Sequence, residues 1–476
     1  MTSPPPPRSS PGAKVIATGF TTALLGDERT LREFVIGNAT KAQIEHSGGA
    51  AELFLFNDSY DPLTYRQLRV GVNKDECLLR QFEAFCGRPI SEIPDPFECH
   101  EHYSRHFEQA LVGRLAALGI HPTVVDSYEA YRTGRYAELI ATTLVAYEDM
   151  RHQLAKTFGD HMAADLFRVQ CPSCHRLDST HIEGVRGSSI HVACDPCGRQ
   201  VDLEAAELRG KFSWKLECAA RWNLYGIDAE VFSKAHLAEL GSVPVAGFLS
   251  KTYFGGRIPD VIPYGDVTIS RELSGALMEM LPPPVLTALF AAQPKRDLHL
   301  TRSFVEGFCS TYPVGNTMSY VDYIRRELPF HSLCDPNITA ATAGGPQGMS
   351  PSDLIAYGNR FSRFYYGKEY KLSDPTDERL TSSEDEVLHV AHEVIDYALS
   401  IRKTFSGDWK VVKSQIRSHL ADRPLPKSLY RYLRTAFGQT DGPNVTTLLA
   451  ILPERFLRRI AERLSERIHE PRTRAA

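Results

Sequence analysis

The chain has 476 residues, 42% of them apolar and 24% charged, with 54 Lys+Arg against 58 Asp+Glu and a formal net charge of -4. That is enough apolar material for roughly two to four packed domains. It excludes wholesale disorder and a globally basic nucleic-acid coat, but not a local basic face.

Residues 1–13 read as a short disordered tail, without the apolar stretch of a secretory signal. No run approaches the roughly 18 apolar residues of a membrane helix, so no membrane partner is expected. Ten cysteines in so long a chain suit a reducing, cytoplasmic setting better than a disulfide scaffold. Residues 14–20 read as a buried strand, and a helix is predicted over 28–46, with Leu31, Phe34, Val35, Ala39 and Ala42 near helical spacing. Residues 52–56 form a second strand signal, 98–118 a long helix ended by Gly119, and 123–126 a third strand. This alternation predicts a parallel sheet covered by helices on both faces. Strand signals return at 229–232 and 261–269. Residues 14–165 and 211–290 therefore read as one α/β domain split by an insertion at 166–210.

The insertion carries Cys171-Pro-Ser-Cys174 and Cys194-Asp-Pro-Cys197. Two residues between cysteines let one tight turn aim both thiolates at one ion, and the pair of pairs has the spacing of a structural four-thiolate zinc site. A redox pair is the weaker reading, because neither motif opens a helix after a strand. His175 is a spare neighbour of four sulfurs. Cys99, His100, His102 and His106 crowd the start of the predicted second helix; Cys99, His102 and His106 fall at i, i+3 and i+7, which would put them on one face, but no fourth ligand is evident. His389 and His392 read as helix-surface histidines.

Past about residue 290 the chain reads as helical, with a stem and linker over 291–385 and an all-α domain over 386–476. Helices are predicted over 382–406, 408–420, 426–437 and 453–468, a loop over 335–352, and no strand. Residues 401–476 hold 16 Lys+Arg against 7 Asp+Glu, a local +9. Lys410, Lys413, Arg417 and Arg431 lie near Trp409, Tyr430 and Tyr432. Cations with interleaved aromatics are what RNA contact needs, although a solvated helical surface has the same composition.

The order of these segments resembles class I lysyl-tRNA synthetase over residues 14–470. The resemblance rests on Ala17-Thr-Gly-Phe20, Leu31-Arg-Glu33, Asp58-Ser-Tyr-Asp61, residues 88–97 leading into Cys99-His100-Glu101, residues 220–228, residues 284–295, Asp441-Gly-Pro443 and residues 448–452. It implies a Rossmann-type catalytic domain, a zinc-bearing insertion and a helical domain for the tRNA anticodon arm. It also implies activation of lysine by ATP and transfer to tRNA. Asp58, Tyr60, Asp61, Trp222 and His236 match family positions around a lysine-like amino acid. Their plainer readings are a strand-end turn for Asp58–Asp61 and core packing for Trp222.

The resemblance fails where ATP should sit. The His-Ile-Gly-His-like positions read Asp27, Glu28, Arg29 and Thr30, which places carboxylates where an anionic phosphate docks. The same acids could simply cap the following helix. The interval that should hold a Lys-Met-Ser-Lys-Ser-like loop, between Tyr264 and Pro284, has no lysine. Arg271 is its nearest cation. A Gly-Lys-Asp-His segment survives as Ser233-Lys234-Ala235-His236. Lys234, His236 and Arg271 are thus the candidate catalytic groups. The expectation is a synthetase-like protein that binds tRNA or a lysine-like amino acid, with lysine adenylation impaired or lost and ATP use open. The alternatives are a working amino acid–tRNA ligase with a rebuilt nucleotide site, and a non-catalytic structural or regulatory protein.

Overall fold

A computed structural model describes residues 12–469 except 163–165, 188, 206, 315–317, 343–348, 383, 406, 407 and 422. Nearly all of the expected tail lies outside the described residues. The chain divides into two compact units, Met1–Ser274 with Thr287–Leu300, and Gly275–Leu286 with Thr301–Ala476.

The first unit opens with β1 (Lys14–Phe20), a 3-10 turn (Glu28–Thr30) and α1 (Leu31–His46). Then comes β2 (Ala51–Asn57), buried along its whole length, as a strand covered on both faces must be. A second helix, α2 (Tyr103–Ala117), precedes β3 (Thr123–Asp126). Sequence reading started α2 five residues too early. Glu98 takes a left-handed φ of 55°, and His102 instead caps the helix, its ring accepting the Arg105 N–H at 3.2 Å.

The insertion leaves on β4 (Phe167–Val169). It forms an antiparallel meander of β5 (Thr180–Arg186), β6 (Ser189–Cys194) and β7 (Gln200–Glu204), and returns on β8 (Gly210–Phe212), which pairs with β4. After α3 (Trp214–Leu224), β9 (Ala229–Ser233) and β10 (Asp260–Tyr264) complete the main sheet. Its order is β10-β9-β1-β2-β3, every pairing parallel. Chain order reverses between β1 and β9, and ligands of such sheets bind outside the carboxyl ends beside that point.

The strand expected over 261–269 breaks at Gly265. A Cβ there would collide with the Arg296 carbonyl, and the Gly265 N–H donates to Pro294 O at 2.9 Å. Beyond the break, β11 (Val267–Ile269) pairs with β12 (Leu298–Leu300). Thus a strand does occur past 290. Arg32, fully buried on α1, donates to the carbonyls of Gly265 (2.9 Å), Phe290 (3.3 Å), Ala292 (3.3 Å) and Gln293 (3.2 Å).

The second unit is helical among the described residues. Its C-terminal half packs α4 (Asp385–Thr404), α5 (Trp409–Ala421), α6 (Leu429–Ala436), α7 (Val445–Ile451) and α8 (Glu454–His469) around a core that includes Val394, Ile416, Leu433, Leu448 and Leu457. Part of the loop expected at 335–352 is helix instead, over Pro336–Thr342. No helix of the described residues is long and apolar enough to cross a membrane.

Candidate functional site

A cavity of roughly 470 Å³ lies at the carboxyl ends of β1 and β2. Gly19, Phe20 and Thr21 line it from β1 and the turn beyond, and Asp58 and Asp61 from the turn after β2. The insertion stem supplies Arg168 and Lys211, and α3 supplies Trp214. Lys211 is 2% exposed. Its ammonium lies 2.8 Å from Asp61 Oδ1 and 2.7 Å from Glu217 Oε2. Burial works against that charge, but the two carboxylates hold its pKa above the usual lysine value.

Asp58 is 4% exposed and 3.5 Å from Arg221 Nη1. Its Oδ1 has no hydrogen-bond partner among the described residues. Burial pushes its pKa up to about 7, against the pull of Lys211 and Arg221. Arg221 is committed to Glu230 at 3.0 Å. Four carboxylates, of Asp58, Asp61, Glu217 and Glu230, thus share two cations, Lys211 and Arg221. A buried cluster short of positive charge favours a ligand that brings some. Nearby, half-buried Glu33 accepts from the Gly19 N–H (2.8 Å) and the Tyr264 hydroxyl (2.9 Å). Burial raises its pKa to about 7 as well.

Of the residues expected around an amino acid, Asp58 and Asp61 line this cavity. Tyr60 is buried away from it, with its hydroxyl donating to Gln170 Oε1 at 3.2 Å. Trp222 is fully buried and donates to Glu230, so its contacts are those of core packing. Trp214, eight positions earlier on α3, occupies the wall instead. Its Nε1 donates to Ser242 Oγ at 2.8 Å, and that oxygen lies 3.0 Å from His236 Nδ1. His236 thus stands behind Trp214 rather than in the wall, and burial lowers its pKa. Lys211, Trp214, Glu33 and Arg168 were not singled out from sequence.

On the nucleotide side, Asp27 caps the 3-10 turn. It accepts the Arg29 backbone N–H at 3.0 Å, and Arg29 Nε donates to both its oxygens at 2.8 Å. Burial opposes the charge of Asp27, but Arg29 holds its carboxyl below the ordinary range. Glu28 is buried, and the Thr30 hydroxyl donates to Asp27 O at 2.8 Å. Lys234 is exposed and tied to Asp297 at 2.6 Å, with Asp266 at 3.5 Å. Arg271 is exposed.

Among the described residues, two clusters could hold a metal ion, each with its ligand atoms within 4.8 Å of one another. Cys171, Cys174, Cys194 and Cys197 form the first. The Sγ separations Cys171–Cys197 and Cys174–Cys194 are both 3.6 Å. Zn–S bonds of about 2.3 Å in a tetrahedron give edges of about 3.8 Å, so the cysteines fit. The second corrects the sequence reading of Cys99, His102 and His106. His102 is spent on capping, and the group is Asp95, Cys99, His100 and His106. Cys99 Sγ lies 3.2 Å from Asp95 Oδ2, 3.0 Å from His100 Nδ1 and 3.3 Å from His106 Nδ1. Gln109 Oε1 holds the far nitrogen of His100 at 2.8 Å, the outer bond that ligating histidines usually make.

In the helical unit, Lys410 and Lys413 border a second cavity, while Arg417 and Arg431 are exposed on α5 and α6 outside it.

Residues 7–300 match the family model described as tRNA synthetases class I (K). The lysine–tRNA ligase of Methanosarcina barkeri (strain Fusaro) is 29% identical over 293 residues, covering 58% of this chain and 53% of that protein. That of Archaeoglobus fulgidus is 28% identical over 297 residues, covering 60% and 58%. The chain thus spans about half the length of the curated relatives it matches. A glutamate-tRNA synthetase structure from Elizabethkingia anophelis is a looser match. It is 10% identical with a TM-score of 0.44, over 95% of this chain and 100% of that one.

Proposed function

Because the chain belongs to the class I (K) family of tRNA synthetases, we propose that it binds a lysine-like amino acid and tRNA in the cytoplasm, with ordinary lysine adenylation impaired or lost. One electrostatic contrast carries this reading. At the turn after β1, Asp27 and Arg29 satisfy each other, so a triphosphate would have to displace a chelated carboxylate. Lys234 is likewise occupied by Asp297. Across the same sheet edge, Asp58 and Asp61 belong to a cluster of four carboxylates that shares Lys211 and Arg221, and Asp58 Oδ1, without a hydrogen-bond partner among the described residues, would gain one from an ammonium group. Removing one preorganised donor typically costs about 10²–10³ in rate, and here two signatures of donors are missing.

A structural zinc on the four cysteines would fix the meander whose stem brings Arg168 and Lys211 to the cavity. A closed four-sulfur site leaves no position for chemistry. A second zinc on Asp95, Cys99, His100 and His106 would set the start of α2. Metal analysis of the purified chain should then find two zinc ions, one of them lost in Cys99→Ser.

The test is lysine-dependent ATP–pyrophosphate exchange run beside equilibrium dialysis with labelled lysine. Lysine binding without exchange is the expected result. Clear exchange would overturn it in favour of a working lysine–tRNA ligase using Lys234, His236 and Arg271. If neither lysine nor tRNA binds, the structural or regulatory reading replaces it.

A further inference from the structure

We propose that the helical unit carries a pocket for one unstacked nucleobase with its phosphate, built on Trp409, His331, Lys410 and Lys413. The family match stops at residue 300, so it does not extend over most of this unit. The proposal deepens the RNA half of the reading above, and its failure is separable from the failure of that half.

The cavity measures roughly 720 Å³, within the range of roughly 300–1,000 Å³ usual for small-ligand sites. Trp409 and Lys413 are four residues apart on α5, so helical geometry places them on one face. The ammonium groups of Lys410 and Lys413 each lie 5.9 Å from the Trp409 ring centre. Neither has an ion-pair partner among the described residues. The other cations of the wall are engaged: Lys368 with Asp441 (3.2 Å), Arg325 with Glu306 (3.2 Å) and Arg326 with Asp322 (3.7 Å). Phe330 backs the indole with ring centres 4.9 Å apart.

His331 supplies the independent sign of a ligand. It lines the cavity and is 6% exposed, yet its Nδ1 has no hydrogen-bond partner among the described residues. Burial lowers its pKa, with Glu327 opposing, so the ring is neutral near pH 7 and its open nitrogen can bond the polar edge of a base. An aromatic plate, two uncommitted ammonium groups beside it and one buried polar atom match a flat ring bearing an anion. An acidic peptide would use the ammonium groups but leave the plate and the imidazole idle.

The test uses the full chain, a labelled single-stranded hexaribonucleotide and fluorescence anisotropy across a salt series. Trp409→Leu should weaken binding about tenfold or more while leaving the salt slope unchanged, because stacking is uncharged. Lys410→Ser with Lys413→Ser should lower the slope of log K against log salt by about 0.7, the value for one phosphate neutralised on a single strand. Trp409→Phe keeps a plate against Phe330 and should retain most of the affinity. That separates stacking from a folding defect. A nucleoside monophosphate that competes as well as the hexamer assigns the pocket to free nucleotides. A far weaker one assigns it to an RNA strand. Wild-type hexamer affinity in Trp409→Leu overturns the pocket, and leaves the tRNA reading standing if tRNA still binds. Polyglutamate competing as well as RNA overturns the nucleotide assignment.

Discussion

The turns after β1 and after β2 leave the same sheet edge and treat charge in opposite ways. After β1, Asp27 and Arg29 close a circuit at the surface, with each group's partner two residues away. After β2, Asp58 and Asp61 depend on Lys211 and Arg221, more than a hundred residues further along the chain, and Asp58 Oδ1 is still left without a hydrogen-bond partner among the described residues. A closed local circuit needs nothing from outside and gives a ligand little to gain. An open buried one stores a desolvation cost that the right ligand relieves.

That contrast can be broken most sharply at Lys211. Lys211→Met strands Asp61 and Glu217 without their ammonium and should cost about 3–5 kcal/mol in urea unfolding. An unchanged midpoint would mean that the cluster is not held by charge. Glu33→Gln tests the same region through pH. In the native state Glu33 keeps its proton up to about pH 7, whereas its ordinary value is 4.5. Between those values the folded chain binds the extra proton, so its stability falls as pH rises, by about 3 kcal/mol in all. The glutamine variant should lose that slope in melts run at a series of pH values. Lysine binding comes next in size. An ammonium selects ionised Asp58, so affinity should rise about tenfold from pH 6 to 8, about fivefold of it by pH 7, and level off above, with a proton released in calorimetry. The smallest effect belongs to the closed side. Arg29→Ala breaks an exposed pair and should shift stability by less than about 1 kcal/mol. A larger loss there would erase the distinction between the two turns.

Much of the sheet was legible because its strands are short, apolar and separated by helical periods. β1 and β3 fall where the pattern put them. The cysteine pairs were legible because ligand spacing is a local property. Lys211 was not, because a lysine between Gly210 and Phe212 reads as a surface residue, and its burial comes from carboxylates on other elements. The choice between Trp222 and Trp214 turns on which face of α3 meets the cavity, and resemblance alone favoured the wrong tryptophan for the wall. His102 left the expected cluster and His100 joined it because helix entry, not helical period, sets the direction of both rings. The three-residue strands β11 and β12 carry no pattern long enough to see.

Arg32 adds a lesson about loss. One guanidinium rivets residues 265 and 266, before the chain departs for the second unit, and residues 290–293, after it returns. A span pinned at both feet can be shortened by roughly a dozen residues at small entropic cost, and the anchorage does not feel it. The length of this interval is thus uncoupled from the adjoining sheet.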